Sequence, residues 1–334
     1  MKKAWLPLLL LGAIGLSGVA GAVGQRWLWH DLPARAKAPP VPAGNPMSAA
    51  KVALGRRLFY DADLSRDGTL ACAGCHEQKR GFAEGSATHM GVTGEPGIRN
   101  APGLANVAWR TPLTWSDATL HTLEQQAMVP LTGEHPVEMG MKGGAAEIAR
   151  RLSRDPCYRR MFAAAFPASG EQIDFPQIGA ALAAFERTLI SSGSAWDRRE
   201  TSPLPAPART GAAQFAALGC AGCHSGADLT DNRFHYVGTG PVNMQAGYGR
   251  TDPNAEEEAQ MFRTPSLRNA AVTGPWLHDG SAASLEDAIR RHAPGAAARA
   301  DMPALLAFLG ALTDERFLRN PAFARPVSAC PTAG

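Results

Sequence analysis

An all-α protein of two tandem domains with long loops is predicted by three observations. Apolar residues recur at helical spacing wherever a regular pattern can be read. The pattern Cys-x-x-Cys-His occurs twice, at Cys72–His76 and Cys220–His224. A run with three prolines, Thr201 to Ala208, lies between the two copies. A chain of 334 residues, 45% of them hydrophobic, is long and apolar enough for two cores.

In chain order, Met1-Lys2-Lys3 precedes an uncharged stretch from Ala4 to Gln25 with Leu8 to Leu11 at its centre and small residues from Gly18 to Ala22. This reads as an export signal, residues 1–22, cleaved after Ala22. The stretch is also just long enough to stay as an uncleaved anchor, about 20 apolar residues being needed to span a membrane, though Pro7 and the glycines disfavour that. Either way the lysines stay inside and the remainder is delivered outside the inner membrane, which in a Gram-negative cell is the periplasm. Residues 23–44, with Pro39-Pro40-Val41-Pro42, form an extended linker. The first domain spans 45–200, a second linker 201–208 and the second domain 209–334.

Val52, Leu54, Leu58 and Phe59 fit one face of a helix, as do the apolar residues of Ile148 to Phe166, Phe175 to Ile190, Leu285 to Arg291 and Ala304 to Leu312. No alternating run competes with them. The Gly- and Pro-rich segments Gly91 to Pro112 and Gly238 to Pro253 read as loops. The net charge of +3 falls to +1 without Lys2 and Lys3, which leaves no basic footprint for nucleic acid. Two of the six cysteines, Cys157 and Cys330, lie outside the repeated motif, and an oxidising compartment permits them to pair. Sequence does not show that their Cα atoms come within bridging distance.

Cys-x-x-Cys-His places two thiols to reach the two vinyl groups of a haem and makes the adjacent histidine the proximal iron ligand. A zinc knuckle would need a second Cys-x-x-Cys or a paired histidine, and a thioredoxin-like redox pair would need a surrounding βαβ pattern. Neither context is present, so the motifs predict two covalently bound haem c groups, attached through Cys72, Cys75 and His76 and through Cys220, Cys223 and His224. Each domain is then a small cytochrome c-like helical shell around a haem.

The segments Leu54–Tyr60, Leu64–Gly68, Arg99–Pro102, Leu123–Ala127, Pro136–Gly140, Phe262–Asn269 and Leu277–Gly280 resemble the bacterial di-haem cytochrome c peroxidase and MauG-like superfamily, from about Pro46 to about Leu312. The resemblance implies that the N-terminal haem meets hydrogen peroxide and the C-terminal haem handles electrons. It puts the distal glutamine on Gln126 and the distal glutamate on Glu138, with Pro130 helping to shape the pocket. Cleaving a bound peroxide heterolytically needs a group that moves a proton from its inner to its outer oxygen, a task for a partly desolvated carboxylate. Outside its motif Glu138 would read as a surface carboxylate, and Trp115, which the resemblance makes an inter-haem relay, as a core aromatic. Asn100, Thr273 and Pro275 match positions that supply oxygens to a calcium ion between the domains.

At the second axial ligand of the C-terminal haem the chain departs from the family. The position that is Met in the peroxidases and Tyr in the MauG-like enzymes is His292, which with His224 would give a bis-histidine haem of lowered potential. The competing reading is a surface histidine beside Arg290 and Arg291, and Met302 is the only other ligand nearby. His235 and His278 belong to family-like turns near haem edges, whereas His30, His89, His121 and His135 have no motif context. His89 does not match the displaceable distal histidine of the peroxidases, so the N-terminal haem is expected to be open without reductive activation. Glu256 to Glu258 read as a solvated loop.

Three functions follow. The first is a peroxidase that draws electrons from a small donor protein, a cytochrome c or cupredoxin. The second is a MauG-like oxidation of a residue, often tryptophan, on a protein substrate, toward which Leu113-Thr114-Trp115 and Pro130–Pro136 lean. The third is a non-enzymatic carrier, against which Gln126 and Glu138 argue.

Overall fold

The computed structural model describes residues 27–29, 32, 37–236 and 261–326. The leader, His30, Glu256 to Glu258 and Cys330 lie outside them. Cys157 is disulfide-bonded. Among the described residues no helix is long and apolar enough to cross a membrane.

Helices dominate, and polar caps set where most of them begin. Ser48 caps α1 (Ala49–Phe59) by accepting from the Lys51 amide, and α2 (Cys72–Cys75) carries the first pair of thiols. A capping box between Thr122 and Gln125 starts α3 (Leu123–Thr132). The apolar stretch predicted as continuous from Ile148 to Phe166 is two helices, α4 (Ala145–Ser153) and α5 (Pro156–Ala165). Asp155 caps the second and Pro156 opens it, a position where the missing amide hydrogen costs nothing. Asp174 caps α6 (Phe175–Glu186). The predicted linker 201–208 is shorter than expected, because α7 (Ala206–Ala217) begins inside it with Pro207 in its first turn. Farther on come α8 (Leu285–His292), α9 (Pro294–Ala297), α10 (Met302–Gly310) and α11 (Glu315–Leu318). Among the described residues the strands are an antiparallel pair of three residues each, β1 (Phe234–Tyr236) and β2 (Met261–Arg263), too short to announce itself by alternation.

Two helix pairs are built alike. In the first, Gly55 of α1 lies so close to α6 that an added Cβ would sit 1.8 Å from the Ala181 carbonyl oxygen; in the second, Gly211 of α7 stands in the same relation to Ala304 of α10, at 1.9 Å. Four residues beyond each glycine comes a phenylalanine that meets another from the partner helix, Phe59 with Phe185 at 5.3 Å and Phe215 with Phe308 at 5.1 Å between ring centroids. Four residues later still, the carbonyls of Leu189 and Leu312 accept from the amides of Asn106 and Asn269, both left-handed and each opening a short 3-10 turn. The second pair heads a core of its own, with Phe215, Ile289, Leu305, Phe308 and Leu309. Because the obstacle at each glycine is backbone, Gly55→Ala is expected to destabilise the protein by about 1–3 kcal/mol, read as a lower unfolding midpoint.

The end of the described chain does not stay with the second core. Phe317 and Phe323 join the first, 5.7 Å and 6.4 Å from the Phe82 ring. Arg56 donates to the Ala324 carbonyl, Tyr60 to that of Phe323 and Gln78 to that of Asn320, so residues 317–326 strap α1 and the first Cys-x-x-Cys-His turn together.

Candidate active site

The duplication extends to both cysteine–histidine motifs. Cys72, Cys75, Cys220 and Cys223 all stand outside any disulfide. His76 is fixed through its Nδ1 by the Phe82 carbonyl at 2.7 Å, and His224 through its Nδ1 by the Leu229 carbonyl at 3.3 Å. Phe82 and Leu229 are both in the left-handed conformation, which turns those carbonyls back toward the rings. A carbonyl on Nδ1 selects the tautomer that leaves Nε2 free for iron. Burial holds His76 below the ordinary histidine range and pushes His224 down to about 4, so both are neutral, the form that ligates a metal.

Around the second motif lies a cavity of about 380 Å3, lined by Cys220, Cys223, His224, Phe215, Leu305 and His292 among others. The His224 and His292 rings stand 6.4 Å apart and nearly perpendicular, and the Nδ1 of His292 is engaged by the Ala288 carbonyl at 2.9 Å. Two metal–nitrogen bonds of about 2 Å, with roughly 1 Å from each nitrogen to its ring centre, span about 6 Å, which fits one iron between the two rings. Met302, by contrast, is packed in the second core.

Arg263 lines the same cavity, 1% exposed, with its guanidinium donating to the carbonyls of Thr114, Thr264 and Leu113. No carboxylate pairs with it among the described residues, and burial lowers it to about 9. A haem propionate would supply the missing charge. The residues present therefore fit a haem.

The cavity wall also brings together Trp115, Asn100, Thr273 and Pro275. Trp115 donates its indole N–H to the Asn100 carbonyl at 2.8 Å, and its own carbonyl accepts from the Arg263 amide, which ties the first half of the chain to β2. The Asn100 side-chain amide donates to the carbonyls of Ser86 and Ala87, leaving its oxygen as a ligand atom. His278 stacks on Phe262 at 3.7 Å, and His235 meets Asp231 at 2.7 Å. His121 and His135 are exposed.

On the first side, α3 carries Gln126 and its C-terminal carbonyls hold the loop that carries Glu138: the amides of Met139 and Met141 donate to Pro130 and Leu131. From the other direction the Val92 amide donates to the Glu138 carbonyl, and Gly91 packs so tightly that a Cβ would meet the Val137 carbonyl at 1.8 Å. Glu138 is thereby fixed at its backbone while its carboxylate, about a quarter exposed, acts electrostatically on His76 and Cys75.

His89, which has no motif, stands between two carboxylates: its Nε2 is 3.5 Å from Glu138 and its Nδ1 3.6 Å from Glu84. Glu138 and Glu84 together raise it to about 10 against the effect of burial. Neither the pairing of His89 with two carboxylates nor the burial of Arg263 was recoverable from sequence. Arg263 sits inside a recognised motif, but its burial is a tertiary fact, and His89 lies far along the chain from Glu138.

Counting from the first residue of each capped helix, Pro130 is the eighth residue of α3 and His292 the eighth of α8. A side chain that can ligate stands on one side and one that cannot stands on the other.

Paired c-type haem turns in a duplicated helical shell define a di-haem cytochrome. Residues 49–201 match the family model described as di-haem cytochrome c peroxidase. The chain is 36% identical to the methylamine utilization protein MauG of Methylorubrum extorquens, over 87% of this chain and 84% of that protein. It is 30% identical to the cytochrome c551 peroxidase of Pseudomonas aeruginosa, over 84% of each. A crystal structure of a MauG-like protein associated with microbial copper homeostasis matches with a TM-score of 0.81 and 36% identity, over 90% of this chain and 99% of that one. The chain belongs to the di-haem cytochrome c peroxidase family and is an oxidoreductase that acts on peroxide.

Proposed function

We propose that the protein reduces hydrogen peroxide to water at the haem held by Cys72, Cys75 and His76, with electrons entering from a small redox protein at the haem held by Cys220, Cys223, His224 and His292. The observation that carries this reading is the contrast between Pro130 and His292, each the eighth residue of its helix. Pro130 offers no ligand atom on the helix that carries Gln126, whereas His292 would hold the second haem together with His224. The iron, when bound, supplies the redox chemistry by which one peroxide takes up two electrons and two protons and yields two waters. Glu138 accepts the proton of the peroxide's inner oxygen and returns it to the outer one, and Gln126 orients the peroxide by its amide. Trp115 links the two halves, and Asn100, Thr273 and Pro275 would hold a calcium ion at their juncture. The export signal puts this chemistry in the periplasm.

A second reading, oxidation of a residue on a partner protein, is favoured by the near-complete match to the MauG-like protein associated with copper homeostasis. Stopped-flow mixing with peroxide, with and without a reduced small cytochrome c, tests both. Rapid oxidation of the cytochrome is expected. A long-lived oxidised state indifferent to the cytochrome would favour the second reading, and inertness toward peroxide would leave only a carrier.

A further inference from the structure

We infer that His89 is a positioning residue for Glu138, an imidazole set between Glu84 and Glu138 that holds the Glu138 carboxylate in place beside the Cys72–His76 motif. This rests on the reading of Glu138 as the proton carrier at the peroxide site. His89 lies on the loop that also pins the Glu138 backbone, with only 13% of its side chain exposed. Its two ring nitrogens face two different carboxylates, at 3.5 Å and 3.6 Å. Bridging two acceptors requires both nitrogens to donate, which only the protonated ring can do.

The space for the ring is built in. Gly97 donates its amide to the His89 carbonyl at 2.7 Å, and a Cβ on Gly97 would meet the imidazole at 2.8 Å. Glu84, 3% exposed, is itself held by the Ala101 amide, so the far end of the clamp is anchored. The titratable groups facing His89 are Glu84, Glu138, Cys75 and His76. Were Cys75 bound to haem and His76 to its iron, the two carboxylates would be the partners left to His89. Both separations exceed ordinary hydrogen-bond length and neither ring nitrogen has a closer partner, so these are ion-pair approaches of the kind that often tighten in catalytic sites when substrate binds.

An alternative role on the same loop is direct ligation of the first iron by His89, and the two are separable. The test uses the holoprotein with His89→Ala, His89→Gln, Glu138→Gln and the Glu138→Gln/His89→Ala double variant. Three quantities are read: the ferric spin state of the first haem, the association rate of hydrogen cyanide, which must lose a proton to bind, and the rate of reaction with peroxide. The expected result is an unchanged spin state, with cyanide association and peroxide reaction both slowed roughly 10- to 100-fold by His89→Ala. His89→Gln, which keeps one donor, recovers part of the loss. In the Glu138→Gln background His89→Ala costs nothing further, because its effect passes through that carboxylate.

A low-spin to high-spin change on losing His89 would overturn the inference in favour of ligation. Additive losses in the double variant, or wild-type rates in His89→Ala alongside a slowed Glu138→Gln, would overturn it while leaving Glu138 in place. Wild-type rates in Glu138→Gln would remove the proton-carrier reading and this inference with it.

Discussion

Glu138→Gln is expected to slow the reaction with peroxide by roughly 10²–10⁴-fold, the usual worth of a positioned acid–base group. Glutamine keeps the size of the side chain and an oxygen that accepts hydrogen bonds, but it does not shuttle a proton near neutral pH. The backbone on either side is fixed independently of the carboxylate, by the Val92 amide on the Glu138 carbonyl and the Met139 amide on that of Pro130. The loop therefore keeps its place when the charge is removed, and the lost rate measures chemistry rather than misfolding. Absorption spectra of both haems should match the wild type. A rate within a few-fold of wild type would assign the proton to another group.

The second large effect is at the other haem. His292→Ala is expected to abolish the low-spin ferric signal of the C-terminal haem and convert it to high spin, seen by electron paramagnetic resonance. The first haem should keep its spectrum and its initial reaction with peroxide, while re-reduction by a donor protein slows. Helix α8 should survive the change. Ser284 caps its start, and Arg290–Glu286 and Arg291–Asp287 pairs run along its surface. His292 is its last residue, with its ring exposed to the cavity rather than packed in the core. A surviving low-spin signal would show that another side chain ligates the iron.

What could be read in advance followed the range of the forces involved. Apolar period 3.6 is a local property, and α1, α6, α8 and α10 appear close to where it puts them. The break between α4 and α5 was also locally written, in Asp155-Pro156, but a continuous apolar face on both sides concealed it. The prolines of residues 201–208 read as an interruption of structure, whereas Pro207 lies in the first turn of α7.

Tertiary facts were out of reach. Gly55 and Gly211 look like mild helix weakeners in sequence, and only the opposed backbones of Ala181 and Ala304 show why nothing larger fits. The haem-binding cysteines and histidines were legible because their spacing is itself the chemistry. Glu84, His89 and Glu138 have no fixed spacing, and the fold alone assembles them.

The strap formed by residues 317–326 makes the order of synthesis matter. Ribosomes release the N-terminal half first, yet the Phe82 side of its core is covered by Phe317 and Phe323, among the last described residues to emerge. While the chain is still being delivered, the Cys72–His76 turn stands in a shell missing one wall. Access to the first motif thus stays open until residues 317–326 have emerged, later than the residues that build the second motif's core.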